Sequence, residues 1–141
     1  MRARIAQYCI NVSDMERSER FYAGICGLNV EQRLNIDHLD VKELVLGAQD
    51  GSGGLIQLAE HQDKKGQAID HGDALWKTYI YTDDCRALYK AAIDFGCESV
   101  MEPRQLDKWP VLAAFVLDPD GYTVEFLERT EEDWDDWGKS K

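Results

Sequence analysis

Basic residues are scarce in this chain. Its 141 residues include 16 Lys or Arg against 27 Asp or Glu, a formal charge of −11. Such a surface repels phosphate backbones and anionic lipid, which excludes nucleic acid and membrane surfaces as expected partners. Long apolar runs are also missing. The longest, Val111 to Leu117, is far too short for a membrane span. The N-terminal segment MRARIAQYCINVSD is interrupted by Gln7 and Asn11 and has no small-residue cleavage site, so no signal peptide is expected and the cytoplasm is the expected location. The four cysteines, Cys9, Cys26, Cys85 and Cys97, form no CxxC pair; zinc-ribbon spacing is excluded and buried free thiols are expected. What is present is a core: 44% of the residues are hydrophobic, enough for one domain and too many for a disordered chain.

The informative pattern is an internal repeat. YCINVSD (Tyr8 to Asp14) and TYIYTDD (Thr78 to Asp84) are both alternating strands ending in polar pairs, 70 residues apart. A helix follows each. Ser13 and Glu16 have capping-box spacing, with Met15, Ser18, Tyr22 and Ile25 on one face. In the second half Thr82 or Asp83 is the expected cap, and Cys85, Leu88, Ala92 and Phe95 repeat the face. Gly27 and Gly96 close the two helices. Downstream, Asp50-Gly51-Ser52-Gly53 precedes LIQL and Asp118-Pro119-Asp120-Gly121 precedes TVEF, an offset of 68 that pairs Gln57 with Glu125. KELVL and VLAAFVL are the strands before those turns. The expected organisation is a single domain over 1–141: one module at about 4–61, a polar linker at about 62–73, a second module at about 74–129, and an acidic tail at 130–141. In that tail Trp134 and Trp137 are expected to dock on the body or on a partner subunit.

FYAGICGLNV in the first half and LDPDGYTVEFLER near the end resemble the vicinal oxygen chelate superfamily, which holds glyoxalase I, bleomycin-resistance proteins and extradiol dioxygenases. The resemblance covers about residues 4 to 129. It implies an α+β fold in which two βαβββ modules form a curved mixed sheet around a cavity, commonly as a homodimer. It also implies that four cavity-facing side chains, from the first and last strand of each half, would bind a divalent metal.

Strand parity selects the matching positions. Tyr8, Ile10 and Val12 are expected to face the helix, leaving Gln7, Cys9 and Asn11 for the cavity. The repeat then gives Lys77, Tyr79 and Tyr81, and the matched quartet is Gln7, Gln57, Lys77 and Glu125. An ammonium has no lone pair, so this quartet is a poor chelate and no metal or other cofactor is expected. His61 and His71 in the linker and His38 after a strand are expected to be solvated, and Trp76 and Trp109 to pack in the core or at the rim.

An enclosed ammonium and carboxylate shift each other's pKa values, as acid–base pairs require. The expected function is therefore binding of a small oxygenated molecule by a metal-independent lyase or isomerase. Glu125 and Lys77 would be catalytic; Gln7, Asn11, Gln57, Tyr79 and Tyr81 would contact the substrate. Two other readings remain: a bleomycin-resistance-type protein that sequesters a ligand without turnover, and a metal-dependent glyoxalase or dioxygenase-type enzyme with substituted ligands.

Overall fold

A computed structural model describes residues 1–131; the tryptophan pair Trp134 and Trp137 lies outside the described residues. The chain divides into two compact units, Met1–Leu75 with the turn Asp118–Gly121, and Trp76–Leu117 with the segment from Tyr122 onward.

The first unit contains β1 (Gln7–Asn11), α1 (Met15–Glu19), β2 (Asn29–Ile36), β3 (Val41–Gly47) and β4 (Leu55–His61). Its sheet runs β1-β4-β3-β2, with β1 parallel to β4 and the other pairs antiparallel. Alternation places Ile10, Leu44, Leu46 and Leu58 on one face, all buried, and α1 packs against β3 and β4. Tyr8 shares their parity but is 69% exposed, because it lies at the N-terminal end of β1. Directly after α1 the backbone widens into a π-helix, Arg20–Ile25, where the Cys26 N–H reaches the Phe21 carbonyl. The consecutive rings of Phe21 and Tyr22 are both fully buried there, edge to face at 4.9 Å between centroids. Gly27 follows with φ 72°, the left-handed conformation expected of it.

Asp14, not Ser13, caps α1, its carboxylate accepting from the Arg17 N–H at 3.0 Å. Ser13 is taken by Asp120, which accepts from both its backbone N–H and its hydroxyl. A second carboxylate serves the same helix end: Glu60, in β4, accepts from the Met15 N–H at 2.6 Å. Tyr22 donates its hydroxyl hydrogen to Asp118 at 2.7 Å, in the turn assigned to this unit.

The second unit repeats the plan with β5 (Thr78–Tyr81), α2 (Cys85–Phe95), β6 (Glu98–Gln105), β7 (Val111–Leu117) and β8 (Thr123–Arg129), in the sheet order β5-β8-β7-β6. The strand registers are equivalent: Cys9 pairs with Gln57 as Tyr79 pairs with Glu125, and Ile10 with Leu58 as Ile80 with Phe126. Ile80, Ala114, Val116, Val124 and Phe126 form the helix-side core, with Cys85, Leu88 and Ala92 from α2. The helix is capped by Asp84, the equivalent of Asp14, and not by Thr82 or Asp83; Asp84 accepts from the Ala87 N–H at 2.9 Å. Glu128, equivalent to Glu60, accepts from the Cys85 N–H at 2.8 Å. Gly96 ends the helix at φ 111°. The fold is thus two four-stranded mixed sheets, each built as βαβββ.

No disulfide joins the four cysteines, and only Cys85 is buried; Cys9 is exposed, and Cys26 and Cys97 are half-buried. Burial, and then the Glu128 carboxylate, push the Cys85 thiol up to about 11. Trp76 and Trp109 are not core residues, being 78% and 50% exposed.

Candidate functional site

Sheet parity decides which side chains the second unit presents away from α2. Tyr79, Glu125 and Phe115 form one row across β5, β8 and β7, because Glu125 pairs with Tyr79 on one side and with Phe115 on the other. Tyr81 and Leu127 form the next row. Lys77 directly precedes β5 and shares the parity of Tyr79, so its side chain enters the same face.

Lys77 Nζ donates to Glu125 Oε2 at 2.5 Å, and the two side chains retain only 10% and 5% of their exposure. The ammonium also lies over three aromatic rings, at 4.2 Å from the Trp76 centroid, 4.7 Å from Tyr79 and 4.9 Å from Phe115. Burial pulls the Lys77 ammonium down, but hydrogen bonding to Glu125 and Tyr79 outweighs it and holds the group above the ordinary lysine value. Lys77 is therefore a fixed cation. Arg129 stacks on Tyr81 at 5.1 Å, adding a second cation to this face.

The first unit makes the equivalent contact with different chemistry. Gln7 Nε2 donates to Gln57 Oε1 at 2.5 Å, an amide pair in place of an ion pair. Further along the strands, Asn11 Oδ1 is 3.1 Å from His61 Nε2. His61 is thus the last residue of β4 with a side-chain partner, not a solvated linker residue. His71 Nε2 is 2.8 Å from the Asp120 carbonyl, and His38 lies in a short 3₁₀ turn, Asp37–Leu39. A cavity of about 450 Å³ in this unit is lined by Asn11, His61, Lys64, Gln67 and Asp70, among others.

The structure thus brings together Lys77 with Glu125, and Gln7 with Gln57. Tyr79 stands against Lys77, Tyr81 sits one row further along, and Asn11 is engaged with His61. Sequence reasoning missed Phe115, Arg129 and His61. The first two were reachable from the repeat: Phe115 stands opposite Glu125 as Val45 stands opposite Gln57, and Arg129 is two positions beyond Leu127 on one face of β8.

The chain matches the family model described as the glyoxalase/bleomycin resistance protein/dioxygenase superfamily over residues 4–126. It belongs to that superfamily. Among curated members, it is 30% identical over 129 residues to the lactoylglutathione lyase of Haemophilus influenzae, covering 89% of this chain and 93% of that one. It is 25% identical to a probable lactoylglutathione lyase of Synechocystis, over 86% and 92% of the two chains. Glyoxalase I from Zea mays superposes with a TM-score of 0.80 at 21% identity, covering 91% of this chain, which spans only 45% of the maize protein. A glyoxalase family protein from Bacillus cereus gives 0.76 at 17% identity, over 93% and 97%.

The divalent metal implied by the superfamily resemblance does not fit the residues present. Lys77 has no lone pair to offer and carries a charge of the wrong sign, while its hydrogen bond occupies Glu125. Gln7 and Gln57 are bonded to each other. Among the described residues, no group of three or more His, Cys, Asp or Glu is placed to hold a metal ion.

Proposed function

We propose that this superfamily member is a cofactor-independent lyase or isomerase acting on a small oxygenated carbon acid. Glu125 is the base, and Lys77 is the cation beside which the oxyanion develops. The observation that carries this reading is the 2.5 Å contact between an ammonium and a carboxylate that are both largely withdrawn from water and walled by aromatic rings. In such surroundings a fixed positive charge stabilises developing negative charge far better than in water. The curated relatives are named for lactoylglutathione, a thioester of a 2-hydroxy acid. The C–H bond next to its carbonyl is an acid of the class proposed here. Glu125 takes that proton, the C–H electron pair forms a C1–C2 double bond as the carbonyl π pair moves to oxygen, and the enolate oxygen rests against the Lys77 ammonium. Return of the proton from Glu125 to C1, with the C2 hydroxyl proton passing to the C1 oxygen, gives the isomeric hemithioacetal, whereas return to C2 gives exchange alone. Tyr79 and Tyr81 contact the substrate on this sheet, and Gln7, Gln57 and Asn11 are ligand contacts on the sheet of the first unit. The same proposal includes one functional domain, a homodimeric assembly and a cytoplasmic setting.

A second reading, sequestration without turnover, is favoured by the way Lys77 and Glu125 already satisfy one another. Proton exchange separates the two. With lactoylglutathione in deuterated buffer, the protein is expected to speed loss of the C2 proton signal by NMR, and Glu125→Gln and Lys77→Met to abolish that activity. Binding of the thioester without exchange would establish sequestration. Exchange that survives Glu125→Gln would overturn the assignment of the base.

A further inference from the structure

An ammonium ringed by three aromatic faces and a carboxylate has the surroundings that proteins use to bind organic cations. Here the cation is a side chain of the protein itself. Three walls come from one sheet region: Tyr79 and Phe115 flank Glu125 in the strand register, and Lys77 reaches across that row. The fourth wall, Trp76, is 78% exposed and lies at 4.2 Å from the ammonium, the shortest of the three ring distances. A tryptophan with most of its surface in water gains little from hydrophobic burial, so its position over Lys77 reflects attraction between ring and cation.

We propose that Trp76, Tyr79, Phe115 and Glu125 form an organic-cation site that Lys77 fills from within, and that Lys77 thereby sets the charge of the ligand the protein accepts. With the side chain in place, the cage is closed to cations and presents a positive charge to an anionic or oxyanion-forming ligand. With the side chain truncated, the same walls accept a primary alkylammonium. The consequence for ligand charge rests on the catalytic reading above; the cage itself does not, and its test requires no turnover.

Truncation of Lys77 to alanine removes the equivalent of n-propylammonium, and that ion is the probe. Lys77→Ala is expected to melt lower than the unmodified protein and to be restabilised saturably by n-propylammonium. Neither n-propanol nor potassium should have this effect, and the unmodified protein should not respond to the amine. Adding Trp76→Ala or Glu125→Gln to Lys77→Ala should weaken the amine response roughly tenfold. An equal response of Lys77→Ala and the unmodified protein, or an amine response no greater than that to potassium, overturns the proposal. A measurement on the unmodified protein covers the case in which Lys77→Ala does not fold. The ring currents of the cage should move the Lys77 Hε protons upfield of those of the other lysines by NMR, and Trp76→Ala should reduce that displacement. An unshifted Lys77 would refute the cage. If the cage stands while proton exchange fails, the organic-cation site remains and the catalytic reading falls.

Discussion

At 2.5 Å, with little water around either group, Lys77 and Glu125 stabilise one another, and each leaves an expensive orphan if the other is deleted. Lys77→Met and Glu125→Gln are each expected to cost about 3–5 kcal/mol of stability, and the double variant less than their sum. Thermal unfolding of the four proteins measures this, and simple additivity would show that the pair is not coupled. The pH dependence follows from Lys77, whose folded value is raised above the ordinary 10.5. Its contribution is therefore complete below that pH and lost only as pH rises through the folded value. The stability gap between the unmodified protein and Lys77→Met should stay constant from neutral to mildly alkaline pH and narrow only above about 10.5. Parity and the repeat made the identity of this pair legible. They did not reveal the cage, because nothing in periodicity says that Trp76, next to Lys77 in sequence, folds its ring over the neighbouring ammonium.

Each helix begins under two carboxylates, one at the cap itself and one from the closing strand: Asp14 with Glu60, and Asp84 with Glu128. Removing a cap by Asp84→Ala should cost about 1 kcal/mol in denaturant unfolding. Glu60 carries more. Burial pushes its carboxyl up, but the Met15 N–H, Gln62 and Lys65 together hold it below the usual carboxylate range. A depressed value means that its stabilisation is present above the ordinary 4.5 and lost as pH falls through the folded value. Glu60→Gln should therefore lower the melting temperature at neutral pH, and the difference should shrink on acidification below about 4.5. A difference that persists unchanged at pH 3 would assign the loss to packing. The capping box read at Ser13 was displaced by one residue because Asp120, over a hundred positions away, occupies that serine. Local spacing cannot register a competitor so distant in sequence. The π-helix was hidden for a similar reason: helical periodicity favours one face, whereas here the adjacent Phe21 and Tyr22 are both buried.

For the whole molecule, the offsets of 70 and 68 were the strongest signal in the sequence, and the strand registers reproduce them pair for pair. They were legible because a repeated βαβββ plan repeats its turn residues and core alternation together. The net charge of −11 acts at this scale too. Acidic self-repulsion is screened by salt, so the melting temperature should rise between low and moderate ionic strength; a flat or falling response would show that local ion pairs dominate. The proposed homodimer is open to test by light scattering, and a monomer at micromolar concentration would remove it. The proposed chemistry requires a fixed lysine cation, not a metal, beside Glu125. The most direct measurement follows C2-proton exchange of lactoylglutathione by protein dialysed against a chelator, with elemental analysis of the same sample. Undiminished exchange with no stoichiometric divalent metal is expected; exchange that vanishes on dialysis and returns with one added divalent metal would overturn the role proposed for Lys77.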